Sequence, residues 1–188
     1  MQAIDRQGTW MKYRVEHEFP CDATTLMRTM YEADIGTALL PRMTRVTEYE
    51  ALSHEDADGH VRRRTRYLPV PAIRAIGPKT VPPKWMEWVE ESDVDISRRT
   101  VTYRNLPTTP KIEKRLKNSG EMTFEELPGG RSKRILTGEL RVEVFLLGAI
   151  AERIIFAYAR EILDEEAHAM AAIIAERQTA PKKNGARN

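Results

Sequence analysis

Polar and apolar residues alternate strictly along Met11 to Phe19. Met11, Tyr13, Val15, His17 and Phe19 share one parity, and Lys12, Arg14, Glu16 and Glu18 the other. A period of two predicts a β-strand with one wet face, and Pro20 ends it. Asp22 follows as an N-cap for a short helix through Leu26, Met27 and Met30. A second helical segment covers about Ile35 to Leu40 and stops at Pro41. Strand patterns then cover Arg45 to Ser53 and His60 to Leu68, joined by a turn over Glu55 to Gly59 in which Gly59 supplies positive φ. Pro69 and Pro71 break the pairing, because proline donates no backbone hydrogen bond. Ala72 to Gly77 reads as a short helix or a surface loop, and Pro78, Pro82 and Pro83 keep the stretch irregular.

Four further strands are expected over Lys84 to Glu91, Thr100 to Leu106, Gly120 to Leu127 and Arg134 to Leu146. Pro128-Gly129-Gly130-Arg131 joins the last two as a hairpin. In the final strand Leu136, Gly138, Leu140, Val142, Val144 and Leu146 face inward. From about Ala149 to Arg177 the period changes to 3.6, with Ile150, Ile154, Ile155, Tyr158, Ile162, Met170, Ile173 and Ile174 on one stripe. Such a helix is roughly 40 Å long, enough to cross a whole sheet. Strand, two short helices, further strands and a long helix, without strand–helix–strand alternation, make an α+β fold. The expected arrangement is a curved antiparallel sheet of about seven strands around the C-terminal helix. Residues 11–177 form the domain, residues 1–10 an extension and residues 178–188 a flexible tail.

The composition changes this picture only by exclusion. A length of 188 residues with 41% apolar and 31% charged residues is that of one globular domain. A formal net charge of +2 gives no global basic field for nucleic acid. The basic residues are local: Arg62, Arg63, Arg64 and Arg66 in one stretch, Lys111, Lys114, Arg115 and Lys117 in another. A single cysteine, Cys21, rules out an intrachain disulfide and a multi-cysteine metal cage. Polar residues from Met1 to Trp10, and an apolar window from Val142 to Tyr158 interrupted by Glu143, Glu152 and Arg153, predict a cytoplasmic protein.

The order of elements resembles the START-like, helix-grip superfamily of polyketide cyclase and lipid-binding folds. Within it the chain looks like the PRELI/MSF1 phospholipid-transfer proteins and a related bacterial family of unknown function. The likeness rests on His17-Glu18-Phe19-Pro20-Cys21-Asp22 at the first strand, on Leu68-Pro69 with the loop to Ile76-Gly77, and on Glu91-Ser92-Asp93-Val94-Asp95 with Asn105. Met30-Tyr31-Glu32-Ala33-Asp34 departs from the Lys-Tyr-Pro-Asn-Pro segment of PRELI-like proteins. The resemblance implies an internal cavity for a lipid or other hydrophobic small molecule, with the Pro69–Pro83 loop as its lid.

Candidate chemistry follows from parity. If Val61, Thr65 and Tyr67 face inward, so does Arg63; if Trp85 and Val89 do, so does Glu87. Buried charges need partners. Either Arg63 and Glu87 pair, or Arg63 grips an anionic headgroup while Tyr67, Trp85 and the helix stripe line the acyl region. Tyr103 and Asn105 share a face, and His17 shares one with Val15 and Phe19. The ligand-binding candidates are thus His17, Arg63, Tyr67, Trp85, Glu87, Tyr103, Asn105 and Tyr158. No catalytic residue, metal ligand or cofactor is expected: His54 and His60 beside the acidic turn fit no spaced ligand motif, and His168 is expected to be exposed. Arg62, Arg64 and Arg66 on the outer face, with Trp85 and Trp88 near the proline-rich loop, offer transient contact with an anionic membrane. The sequence contains no glycine-rich phosphate loop, nucleophile elbow or His-Glu-x-x-His. The leading expectation is non-enzymatic lipid binding or transfer. A cyclase or aromatase using His17, Arg63, Glu87 and Tyr103 is the alternative, and a domain with a filled core a third.

Overall fold

A computed structural model describes residues 10–71, 75–76, 79–80, 82–143 and 148–179. In chain order the elements are β1 (Met11–Phe19), α1 (Ala23–Met30), α2 (Ile35–Leu39), β2 (Val46–Ala57), β3 (His60–Pro69), β4 (Ala75–Ile76), β5 (Lys79–Thr80), β6 (Trp88–Asp95), β7 (Thr100–Pro107), α3 (Pro110–Glu113), β8 (Leu116–Leu127), β9 (Arg131–Val142) and α4 (Gly148–Thr179). The large sheet has seven antiparallel strands in the order β1-β9-β8-β7-β6-β3-β2, and β4 and β5 form a separate two-stranded ribbon. The expected curved antiparallel sheet holding a long C-terminal helix is the fold observed. Most of the expected extension, the tail beyond Thr179, Val144, Leu146 and much of the expected lid loop lie outside the described residues.

Local chemistry accounts for the turns. Asp22 caps α1 by accepting from the Thr25 amide at 2.8 Å. Asp58 and Gly59 both have positive φ, 52° and 85°, as a tight two-residue hairpin turn requires. β6 starts at Trp88, not at Lys84, because Pro83 opens a 3-10 turn over Pro83–Met86. This shifts the inward parity of β6 to Trp88, Glu90, Ser92 and Val94. The strand reading that paired Glu87 with Arg63 is therefore corrected by one register step.

The inner wall is laid down in rows across the strands. The deepest continuous row is apolar: Val61, Val94, Val101, Met122, Leu136 and Val15. α1 and the C-terminal half of α4 cover it, burying Leu26, Met27, Met170, Ile173 and Ile174. The row above runs Arg63, Ser92, Tyr103, Gly120, Gly138, Tyr13. The next runs Thr65, Glu90, Asn105, Asn118, Leu140, Met11. Tyr49, Tyr67 and Trp88 stand above these, with Tyr67 stacked on Trp88 at 5.2 Å between ring centroids.

α4 has 32 residues and is roughly 48 Å long. Its expected stripe divides: Met170, Ile173 and Ile174 are in the core, whereas Ile150 and Ile154 are exposed at 55% and 45%. The helix thus seals one end of the sheet and covers the other loosely.

Gly138 and Gly120 face each other so that two tyrosine side chains can lie over them. A methyl group on Gly138 would meet the Tyr13 and Tyr103 hydroxyls at 2.5 and 2.6 Å. Gly138→Ala is expected to lower stability by about 1–3 kcal/mol, the usual cost of overpacking. Chemical denaturation checks this, and an unchanged midpoint would contradict the close packing described.

Candidate functional site

The two polar rows form one connected site on the inner wall. Asn105 Nδ2 donates to Asn118 Oδ1 at 2.6 Å, and Asn118 Nδ2 donates to the Tyr13 hydroxyl at 2.7 Å and to the Glu139 carbonyl at 3.1 Å. The Tyr13 and Tyr103 hydroxyls lie 2.8 Å apart, and Tyr103 also donates to the Thr137 carbonyl at 3.3 Å. Burial raises the pKa of both tyrosines above its ordinary value, so they remain neutral hydroxyls. Asn105 Oδ1 and the fully buried Thr65 Oγ1 have no partner among the described residues.

Arg63 is 6% exposed and its guanidinium is surrounded. Nη1 donates to the Met30 carbonyl at 2.9 Å, Nη2 lies 3.7 Å from Glu90, and the group sits 4.6 Å from the Tyr31 ring centroid. Ser92 donates to the same Glu90 oxygen at 2.8 Å. Burial raises the Glu90 carboxyl above its ordinary value, while the Arg63 charge and the Ser92 bond oppose that shift. Arg63 and Glu90 thus neutralise each other inside the wall.

His17 belongs to a different place. It lies beyond the apolar row, at the sealed end, beside Arg134 and Phe124. Arg134 is 1% exposed and donates from Nη1 to Glu166 at 2.7 Å and from Nη2 to His17 Nδ1 at 3.2 Å. Because guanidinium only donates, Nδ1 must accept and Nε2 must carry the proton, which it donates to Asp164 at 2.8 Å. Burial lowers the His17 pKa, the Arg134 charge adds to that, and Asp164 and Glu166 partly offset it. Both ring nitrogens are engaged, so neither is free to act as a base.

The structure brings Arg63, Tyr67, Tyr103 and Asn105 to one wall. It separates His17 from them and turns Trp85, 40% exposed, out of the strand. Glu87 is buried, but it accepts from the Thr108 hydroxyl at 2.6 Å and takes no part in the Arg63 pair. Tyr158 is half-buried, its hydroxyl donating to the Val70 carbonyl at the end of β3. Sequence reasoning turns Thr65 inward without counting it as a binding candidate, and misses Glu90, Ser92, Asn118, Arg134 and Phe156. Phe156 stands 5.0 Å from Tyr13. The alternation does place Arg134 on the parity of Leu136, and Glu90 on that of Ser92 and Val94.

The outer face differs. Arg62 lies 3.4 Å from Asp93, Arg64 3.1 Å from Glu91, and Arg66 2.5 Å from Glu50. A concavity of about 750 Å³ lies on this face among Arg62, Arg64, Glu91, Asp93, Arg104 and Glu121, and its charges are largely paired with one another. Among the described residues no cluster of His, Cys, Asp and Glu could hold a metal ion, and no helix is long and apolar enough to cross a membrane. His54 Nε2 lies 2.9 Å from the Tyr31 carbonyl and therefore donates there, since a carbonyl only accepts.

Residues 14–174 match the model of a family described as protein of unknown function, DUF2505. No functionally curated protein matches the chain. Among solved structures, TTHA0849 from Thermus thermophilus is similar with a TM-score of 0.64 and 16% identity, over 89% of this chain and 99% of that one. Zhui aromatase/cyclase from Streptomyces sp. R1128 is similar with a TM-score of 0.62 and 18% identity, over 90% and 97%. Norcoclaurine synthase from Thalictrum flavum, in complex with dopamine and hydroxybenzaldehyde, gives a TM-score of 0.62 at 12% identity, over 96% and 100%. These likenesses establish the helix-grip fold. The family shown is DUF2505, a family of unknown function, and the finer likeness to the PRELI/MSF1 proteins finds no support among these matches.

The His17 geometry has a pH consequence. An unfolded histidine titrates near 6.5, and the folded value is lower, so the unfolded chain binds the proton first as pH falls. The stability contributed by the neutral imidazole is complete above about pH 6.5 and is lost as pH drops toward the folded value. Melting temperatures between about pH 7 and 5 are expected to fall more steeply for the natural protein than for His17→Gln; parallel curves would contradict the assignment.

Proposed function

The chain belongs to the DUF2505 family, and we propose that it binds a small, largely apolar molecule with a polar end, held between the sheet and the N-terminal half of α4. The observation that supports this most is the contrast between neighbouring rows of one wall. Where α1 and the second half of α4 close over the sheet, the row is Val, Val, Val, Met, Leu and Val. Two rows away four of the six positions are polar, Thr65, Glu90, Asn105 and Asn118 before Leu140 and Met11, with two polar atoms lacking a protein partner among the described residues. A wall serving only to pack would repeat the apolar row, because burying unpaired polar groups costs roughly 1–3 kcal/mol each. Half-buried Phe156 and Ile162 on α4, with Trp88 and Tyr67 on the sheet, supply apolar surface for the body of the guest. Each methylene moved from water into such surroundings contributes about 0.8 kcal/mol.

Lipids remain within this class, but Arg63 is a poor anchor for an anionic headgroup, since an anion there would meet Glu90. Contact with an anionic membrane through Arg62, Arg64 and Arg66 is not part of the reading, because each already lies beside a carboxylate. Binding is preferred to catalysis on the same evidence of occupation. The His17 nitrogens and the Tyr13 and Tyr103 hydroxyls all have internal partners. Burial pushes the Cys21 thiol up to about 11, away from a reactive thiolate.

Native mass spectrometry of the purified protein, followed by organic extraction, tests the proposal. A near-stoichiometric apolar guest is the expected result. A bare protein that also fails to enhance the fluorescence of an anilinonaphthalene probe would contradict it.

A further inference from the structure

The end of the sheet away from α1 is bounded by the 3-10 turn Pro83–Met86, by α3 and by the first turns of α4. Hydrogen bonds tie this rim together. The Thr109 hydroxyl donates to the Lys84 carbonyl at 3.2 Å, Arg115 Nη1 donates to the Glu143 carbonyl at 3.3 Å, and the Val142 amide donates to Glu152 on α4 at 2.9 Å. Lys84, Lys111, Lys114, Arg115, Lys117 and Arg153 are exposed here, and none lies beside a carboxylate among the described residues. Every other Lys or Arg side chain that the structure describes lies beside one, Arg28 excepted. The acids of the rim do not cancel the charge. Glu143 lies 3.1 Å from Arg141 and Glu152 is taken by the Val142 amide, which leaves Glu113 against these cations among the described residues.

The same rim carries exposed apolar side chains. Leu52, Trp85, Ile150 and Ile154 are the large apolar residues exposed among the described residues, and all but Leu52 belong to the rim. Ile150, Arg153, Ile154 and Ala157 follow one another at spacings of three, one and three, all exposed, and so share one face of α4. A cation and two aliphatic side chains therefore point the same way.

We propose that this rim rests on an anionic lipid bilayer, its cations among the headgroups and Trp85, Ile150 and Ile154 in the interface. Charge complementarity selects an anionic partner, since each basic residue near such a surface strengthens binding about fivefold. The apolar side chains select the bilayer among anionic partners. A nucleic-acid backbone offers isoleucine no apolar surface, and a formal net charge of +2 gives no field for it. A protein partner fits less well, because Lys84, Lys111, Lys114 and Lys117 are lysines, which protein interfaces disfavour. Tryptophan is favoured where a bilayer meets water. The surface is separate from the paired Arg62, Arg64 and Arg66 row, and the inference does not depend on the guest proposed above.

The test is co-sedimentation of the full chain with phosphatidylcholine vesicles that contain or lack phosphatidylglycerol. Binding is expected only with phosphatidylglycerol, and it should weaken as salt rises from about 0.1 M to about 0.5 M. The triple variant Lys84→Gln, Lys111→Gln, Lys114→Gln should bind about a hundredfold more weakly. Arg28→Gln, which removes the unpaired arginine on α1, should bind as the natural protein does. The blue shift in tryptophan emission on binding should be smaller in Trp85→Phe. All these side chains are exposed, so their replacement leaves the fold in place. Absence of sedimentation with the anionic vesicles, or equal sedimentation of the triple variant, overturns the proposal. An unchanged blue shift in Trp85→Phe overturns the seating of Trp85 in the interface. Tighter binding to polyglutamate or to duplex DNA than to the vesicles overturns the bilayer and assigns the cations to an acidic protein or a nucleic acid.

Discussion

Three consecutive acids on α4 hold the fold closed. Asp164 accepts from His17 on β1, Glu166 accepts from Arg134 on β9, and Glu165 accepts from the Thr44 and Arg45 amides and the Thr44 hydroxyl at the start of β2. β1 and β2 are the two edges of the sheet, so one turn of helix ties both edges together. Glu161 adds a bond to Arg45 at 2.9 Å on the same side. Burial acts to raise the Glu165 carboxyl, but the bonds from Thr44 and Arg45 bring it below its ordinary value, as expected of a carboxylate that caps a strand. An open antiparallel sheet has exposed edges that invite other strands. Here the helix restrains them, and the curvature that results creates an inside.

The position of this clamp along α4 decides where the inside is filled and where it is not. Beyond it, Ala167, Met170, Ile173 and Ile174 pack on α1 and the apolar row. Before it, the helix carries Phe156 and Ile162 only half-buried and leaves Ile150 and Ile154 outside. The polar rows lie under this looser half. Their charges cancel locally through Arg63 and Glu90, and an amide and hydroxyl chain links Asn105, Asn118, Tyr13 and Tyr103, while Thr65 Oγ1 and Asn105 Oδ1 have no partner among the described residues. The closing contacts and the wall proposed for binding thus occupy successive stretches of the same helix.

Much of this is legible in the amino-acid sequence because parity survives wherever a strand's start is known. The alternation from Met11 to Phe19 puts Tyr13 and His17 on the inner face of β1, and that from Val61 to Tyr67 does the same for Arg63 and Thr65. Tyr103 and Asn105 also face inward as their spacing implies. β6 is misread from sequence because four residues after Pro82 form a 3-10 turn, and a displaced start inverts which acid meets Arg63. Asn118 escapes the pattern because β8 begins at Leu116, before the alternation becomes apolar. The helical period identifies a stripe on α4, but periodicity carries no record of which half of a helix another element covers. The role of His17 needs Asp164, Arg134 and Glu166 together, three residues brought in from distant stretches.

The central claim, that the guest sits on the polar rows of the inner wall, is tested most directly by side-chain nuclear magnetic resonance. Asn105 and Asn118 carry amide protons, and Tyr13 and Tyr103 carry ring protons, that can be followed individually as the anilinonaphthalene probe is added. The account predicts that these signals move together and saturate, while the Arg62, Arg64 and Arg104 guanidinium signals on the outer face stay in place. Shifts confined to the outer concavity, with the two asparagines unmoved, would contradict it.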